Sequence, residues 1–278
     1  MKKRLTKYIL LTYGVYFNSM SLFSRKKVAA KAFSVFCTVR KGKVLPHQKE
    51  YLDNAKIGLE QVHGHRLQSY QWSGKKDTVL LIHGWESNTF RWRNLISKLK
   101  KEGFNIIAFD APAHGHSTGK ELNVPLYTDC TQHFIEKYEP QHIIAHSVGG
   151  MNAIYNQYKY PNSAVEKIVT IGAPSELSEI MGQYKTMLKY NNRVEKALDD
   201  YFNERFGFNI HEFSTSKFVQ SNTKKGLVIH DELDVIAPFH ASEKVHANWE
   251  GSTLIKTKGL GHSMHQEEIN NQIITFLK

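Results

Sequence analysis

The sequence predicts a doubly wound α/β domain: a mostly parallel sheet entered by an antiparallel strand pair, with helices on both faces and a helical insertion. Three observations carry this. Short apolar runs recur at 78–83, 105–109, 142–146, 167–171, 227–230 and 253–256, most of them separated by helix-length stretches. The runs are continuous rather than alternating, as strands covered on both faces must be. The segment 175–225 breaks the rhythm, with Tyr- and Phe-rich, helix-like sequence and no clear strand. It is too long for a bare loop in a compact domain.

The elements follow in order. Residues 1–49 contain twelve Lys and Arg and no acid, the first carboxylate being Glu50. An apolar stretch at 8–23 is interrupted by Asn18-Ser19-Met20-Ser21 and followed at once by Arg25-Lys26-Lys27. The only Ala-x-Ala of this segment, at 30–32, lies beyond that basic cluster, which does not fit a secretory signal. The stretch is also too short and too polar for a membrane span. Two readings stand side by side: a basic, aromatic-rich helix lying on an anionic membrane surface, or helices docked on the main domain. Residues 28–39 carry apolar groups near helical spacing, and the polar, basic stretch 40–49 reads as a linker. The expected organisation is an N-terminal helical extension, 1–49, and a domain, 50–278, with its insertion at about 175–225. Within that domain, 58–61 and 65–72 form a strand pair turning at His63-Gly64. Helices are expected at 90–101, 127–138, 148–158, 241–249 and 266–277.

Composition narrows the function. With 278 residues, 41% hydrophobic and 23% charged, the chain supports a sizeable core and is not disordered by default. Two cysteines, Cys37 and Cys130, exclude a disulfide scaffold and any multi-cysteine zinc site. They fit a reducing compartment, so the expected location is cytoplasmic, with residues 1–49 as the candidate membrane contact. The net charge of +11 belongs to that segment, because the remaining residues carry 25 basic and 26 acidic groups. A near-neutral body argues against nucleic acid as a partner.

The chemistry-bearing residues fall at strand carboxyl ends, where open α/β sheets bind their ligands. Ala145-His146-Ser147-Val148-Gly149 runs strand, sharp turn, helix, with the serine at the apex. Small residues two before and two after the serine let strand and helix pass closely. The Val148 N–H then opens a helix beside the hydroxyl, a position suited to half of an oxyanion hole. The turn after an earlier strand, His83-Gly84-Trp85, offers the Trp85 N–H as the other half. A serine needs a base, and the base a carboxylate to orient it. His262, in Gly259-Leu260-Gly261-His262-Ser263, and Asp234, past the strand at 227–230, supply both.

These residues resemble the α/β-hydrolase superfamily over about residues 58–278. The family's His-Gly turn is similar to His83-Gly84-Trp85, and its Asp-x-x-x-x-Gly-x-Ser loop to Asp110-Ala111-Pro112-Ala113-His114-Gly115-His116-Ser117. The serine turn, acid loop and Gly-x-Gly-His loop follow in family order. The resemblance implies a carboxylesterase-like serine hydrolase that needs no cofactor and no metal and acts on a small-molecule ester or acyl substrate. It also implies that the insertion is a cap shaping the substrate pocket. Ala145 stands where the family usually has glycine. Serine rather than aspartate at position 147 disfavours dehalogenases and epoxide hydrolases, and the missing His-Gly-Gly-Pro-Gly turn weakens a peptidase reading.

Competing readings frame these choices. Asp231 is the rival acid. His114 and His116 have a metal-ligand spacing but no companion cluster, so a structural loop is expected. His146 is expected to be a packing residue, Cys130 a core residue, and Tyr184, Tyr190, Tyr201, Phe202, Phe206 and Phe208 mostly cap packing. The same triad could serve a thioester or lipid acyl chain, with hydrolysis or acyl transfer at a membrane, or stand idle in a ligand-binding module.

Overall fold

The computed structural model describes residues 2–161 and 164–278. Met1 and the side chains of residues 2–7, part of the first basic cluster, lie outside the described residues. In chain order the elements are α1 (Lys2–Phe23), α2 (Arg25–Cys37), α3 (Pro46–Leu52), β1 (Lys56–Val62), β2 (His65–Trp72), β3 (Lys76–Ile82), α4 (Arg93–Glu102), β4 (Phe104–Phe109), α5 (Val124–Tyr138), β5 (His142–His146), α6 (Val148–Lys159), β6 (Lys167–Ile171), α7 (Leu177–Leu188), α8 (Asn192–Phe206), α9 (Thr215–Phe218), β7 (Lys225–Asp231), α10 (His240–Asn248), β8 (Ser252–Thr257) and α11 (Glu267–Leu277). Two compact units result, one of Val39–Ser175 with Thr215–Lys278, the other of Met1–Thr38 with Glu176–Ser214.

The larger unit holds an eight-stranded sheet in the order β1-β2-β4-β3-β5-β6-β7-β8. β1 pairs antiparallel with β2, and β2 antiparallel with β4. All remaining pairs are parallel, with Leu81, Ile144, Val169 and Leu227 in register across four strands. Alternate residues of each strand enter opposite cores. On one face Leu81, Ile144 and Val169 pack with Leu95 and Leu99 of α4 and Ile269 and Ile273 of α11. On the other Leu80, Ile143 and Ile168 pack with Phe134 of α5, Ile154 of α6 and Val245 of α10. Both faces are covered, which is why these strands read as continuous apolar runs. The order reverses between β3 and β5, so the loops leaving those two strands flank a switch point where such sheets bind ligands.

The stretch expected as a linker is tied into this unit. The Val39 N–H donates to the Lys120 carbonyl at 3.0 Å, and the Gly115 N–H to the Gly42 carbonyl at 2.9 Å. Pro46 starts the seven-residue α3, too short to show a helical period in the sequence. The compact units therefore divide after Thr38 and not at Glu50.

In the smaller unit the ends of the insertion meet, with Leu177 N–H donating to the Phe213 carbonyl and Glu176 bridging Ser214. α2 presents Phe33 to Tyr201, Phe202 and Phe206 of α8 at ring separations of 5.2, 5.3 and 5.7 Å. Phe36 meets Tyr184 of α7 at 5.1 Å, and the Tyr184 hydroxyl donates to the Ala32 carbonyl. The insertion's aromatics thus pack among themselves and against the N-terminal helices. Their partners are more than a hundred residues away in sequence, so no local pattern discloses the pairing.

Candidate active site

Ser147 sits at the junction of β5 and α6 with φ 55° and ψ −126°, a backbone conformation that a non-glycine residue adopts only when its surroundings enforce it. Its N–H donates to the Ile171 carbonyl at 2.8 Å. The turn closes because its flanking residues are small. A Cβ at Gly149 would lie 2.6 Å from the His83 carbonyl oxygen, and one at Gly150 2.7 Å from Ala173 Cβ. Ala145 is fully buried and is accommodated without a glycine.

Three predicted residues come together. His262 Nε2 lies 3.0 Å from Ser147 Oγ, and His262 Nδ1 lies 2.7 Å from Asp234 Oδ2. An ionised carboxylate accepts from Nδ1–H, which leaves Nε2 to accept the serine hydroxyl proton. Asp234 Oδ1 accepts the N–H groups of Ile236 and Ala237 at 2.8 and 3.1 Å. Burial by itself would raise this carboxyl's pKa. The hydrogen bonds from His230, His262, Ile236 and Ala237 outweigh that and hold it well below the usual carboxylate range.

The rival, Asp231, is fully buried and committed elsewhere. It accepts the Leu233 N–H at 3.0 Å, the Thr257 hydroxyl at 2.8 Å and the Leu260 N–H at 2.8 Å. It ties the end of β7 to the loop that carries His262. Burial opposes its ionisation, but these donors keep its pKa below the ordinary value.

Three supporting residues were not singled out for the site by the sequence, or were read differently. His230, at the end of β7, is fully buried. Its Nδ1 shares a hydrogen bond with the Ser242 hydroxyl at 2.6 Å, while Nε2–H faces the Ala237 carbonyl at 2.9 Å and Asp234 Oδ2 at 3.3 Å. That network orients the acid. His146 was expected to be a packing residue. It is instead hydrogen-bonded on both nitrogens: Nδ1 accepts from Arg91 Nη1 at 2.7 Å, and Nε2–H donates to the His262 carbonyl at 2.9 Å. Burial, then the Arg91 and His262 charges, push its pKa well below the ordinary value, in keeping with a neutral ring. Arg91 also donates through Nη2 to the Ser263 carbonyl at 2.9 Å, so Arg91 and His146 together hold the two successive carbonyls of His262 and Ser263. The signal for His146 was its adjacency to the serine. Arg91 lay in an apparently ordinary amphipathic helix and had none.

The Trp85 turn lies against the serine turn. A Cβ at Gly84 would fall 3.0 Å from Ser147 Cβ. Among the described residues, the backbone N–H groups of Trp85 and Val148 have no hydrogen-bond partner. The Asp110 loop is scaffolding. Its carboxylate accepts the Thr89 N–H and hydroxyl, the Tyr70 hydroxyl and the His116 N–H, all at 2.9 to 3.0 Å. His114 Nε2 accepts the Glu86 N–H at 3.0 Å, and burial pushes its pKa down to about 3. Cys130 is buried in the core, and burial followed by the nearby Asp129 charge pushes its thiol up to about 12. Among the described residues, no group of three or more His, Cys, Asp or Glu could hold a metal ion.

Comparison with known proteins places this geometry in context. A sequence model of the α/β hydrolase fold matches residues 77–206. A bifunctional esterase/perhydrolase from Acinetobacter calcoaceticus is 25% identical over 265 residues, covering 75% of this chain and 95% of that protein. A serine hydrolase from Homo sapiens is 25% identical over 256 residues, covering 81% and 86%. Among solved structures, an esterase from Exiguobacterium antarcticum superposes with a TM-score of 0.63 at 18% identity, covering 80% of this chain and 99% of that one. Est1E from Butyrivibrio proteoclasticus, solved with ferulic acid bound, superposes with a TM-score of 0.65 at 17% identity, covering 79% and 97%.

Proposed function

We propose that the chain is a member of the α/β-hydrolase superfamily, whose fold model matches residues 77–206, and that it is a serine hydrolase cleaving carboxylic esters through an acyl-enzyme intermediate. The observation that carries the reading is the unbroken chain Asp234–His262–Ser147, at 2.7 and 3.0 Å. The esterase and serine hydrolase among its relatives support it.

In this mechanism His262 Nε2 takes the Ser147 proton as Oγ attacks the ester carbonyl carbon. Asp234 holds the imidazole and stabilises the cation that forms. The negative charge on the former carbonyl oxygen is met by the N–H groups of Trp85 and Val148. The tetrahedral intermediate then collapses, and the alcohol leaves with the proton from His262. A water molecule, deprotonated by His262, attacks the acyl-serine and releases the acid. Arg91 and His146 act by positioning the His262 backbone.

Labelling with a fluorophosphonate probe tests the reading, since the probe needs an activated serine and little substrate fit. One adduct by intact mass on the wild type and none on Ser147→Ala is expected. An unlabelled wild type would overturn the mechanism in favour of a binding module with an idle serine. Val148→Pro tests the oxyanion donor together with the turn that presents it. Proline is accepted at the first position of a helix, so α6 is kept, but its ring also restricts the backbone of the preceding Ser147, and the loss sums the missing N–H and a shifted serine. Loss of such a donor costs ~3 kcal/mol, a fall in kcat of roughly a hundredfold or more. Unchanged kcat in a folded variant would place the donors elsewhere.

A second reading, a lipid acyl ester or thioester as substrate, is favoured by one observation. α1 exposes large apolar side chains. Rates on p-nitrophenyl esters of increasing acyl length separate the two: a peak at short chains supports the first, a rise to long chains the second.

A further inference from the structure

α1 is amphipathic in an unusual sense, because beside its buried apolar groups it carries a second apolar face that points outward. Tyr8, Ile9, Val15, Tyr16, Leu22 and Phe23 are exposed, Val15 at 67%, Leu22 at 65% and Phe23 at 88%. They fall in three pairs seven residues apart. Seven residues are close to two helical turns, so the pairs form one continuous stripe along a helix about 33 Å long. The opposite face already has its partners inside the smaller unit. Phe17 and Ser21 are buried. A Cβ at Gly14 would lie 1.8 Å from the Leu188 carbonyl oxygen, so α1 meets the end of α7 backbone to backbone. Asn18 accepts the Asn191 N–H at 2.7 Å and donates to the Lys189 carbonyl at 3.3 Å. The stripe is therefore not a core surface that the helix has failed to bury.

Charge says what covers it. Residues 1–49 hold twelve Lys and Arg and no acid. Arg25-Lys26-Lys27 begin one residue beyond Phe23; Arg25 and Lys26 pair with Asp200 and Glu204 of α8 at 2.6 and 3.4 Å, and the positive excess of the segment rests on its other basic residues, Lys27 and Lys31 among them. A row of aliphatic and aromatic side chains bordered by cations matches the acyl and headgroup layers of an anionic bilayer, and it does not match a neutral protein surface. Among the described residues, no helix is long and apolar enough to cross a membrane. We propose that α1 lies in the plane of an anionic phospholipid membrane, with Val15, Leu22, Phe23 and their neighbours on the stripe inserted among the acyl chains. The inference concerns binding only and does not depend on the hydrolase reading.

The test is flotation of the full chain with vesicles of phosphatidylcholine containing phosphatidylglycerol, and with vesicles of phosphatidylcholine alone. Wild type is expected to float with the anionic vesicles and at least tenfold less with the neutral ones. Val15→Asp and Phe23→Asp, at exposed positions that the fold does not use, are expected to weaken binding at least tenfold with an unchanged melting temperature. Ser147→Ala is expected to bind as the wild type does, which separates lipid binding from turnover. Absence of wild-type flotation overturns the proposal, as does flotation that survives both substitutions. So does a dimer, seen by light scattering in the absence of lipid, that either substitution dissociates, because the stripe would then be an interface between two copies.

Discussion

His262→Ala is expected to lower kcat on a p-nitrophenyl ester by roughly a millionfold, as removal of the base does in serine hydrolases whose serine and histidine act as a unit. The hydroxyl of Ser147 is a poor nucleophile at neutral pH. Among the ring nitrogens, His262 Nε2 is the one that stands 3.0 Å from it. His146 is next in sequence and its ring lies 4.8 Å from that of His262, but its two nitrogens are occupied by Arg91 and by the His262 carbonyl. It cannot replace the lost base. Ser147→Ala is expected to fall to the same level, and the double variant no further, because either loss alone disables the pair. A His262→Ala enzyme retaining more than a hundredth of wild-type kcat would mean that another group takes the proton.

Asp234→Asn is expected to cost roughly 10⁴ in kcat with little change in fold. The amide presents an N–H₂ or a carbonyl to His262 Nδ1. When it presents the donor, Nδ1 must accept and Nε2 carries the proton, which is the wrong tautomer for a base. Asp231→Asn is the contrasting experiment. Asp231 does not touch His262, and its acceptors hold Leu233, Thr257 and Leu260. The loss should appear mainly as stability, about 2 kcal/mol at neutral pH from weakened charge-assisted hydrogen bonds. Because the folded-state pKa of Asp231 is lowered, its contribution is fully present above the ordinary carboxylate pKa, ~3.9. It fades as the pH falls from there through the lower folded-state value. Urea melts of wild type and Asp231→Asn should therefore differ at pH 7 and converge in acid. A 10⁴ loss of kcat in Asp231→Asn, with Asp234→Asn nearly normal, would reverse the assignment.

Both acids illustrate where sequence reasoning reaches and where it stops. Asp231 and Asp234 are three residues apart beyond the same strand, equally polar and equally placed for a family acid loop. What separates them is the direction each carboxylate takes once β8 and the His262 loop have packed beside β7. The pairing of Asp231 with Thr257 and Leu260 spans 26 to 29 residues and leaves no local pattern. His230 and Arg91 are invisible for the same reason. A histidine ending a buried strand and an arginine starting a helix are ordinary residues until Ala237, Asp234, His146 and Ser263 are brought beside them.

The sequence by itself determined the strands and the serine turn. Continuous apolar runs bury only in a sheet covered on both faces, and Ala145, Gly149 and Gly150 are small where strand and helix must nearly touch. Those are local properties, and the observed β5 and β6, at 142–146 and 167–171, match their expected limits residue for residue. Tertiary structure alone decided the partnership of the N-terminal helices with the insertion, the short α3 inside an expected linker, and the outward-facing stripe of α1. The apolar content of residues 8–23 was plain in the chain. Which side of that helix faced Leu188, and which faced out, depended on Gly14 and Asn18 finding partners some 170 residues away. Hydrophobic composition states how much surface a helix needs to cover, and only packing with distant segments states which surface is left over.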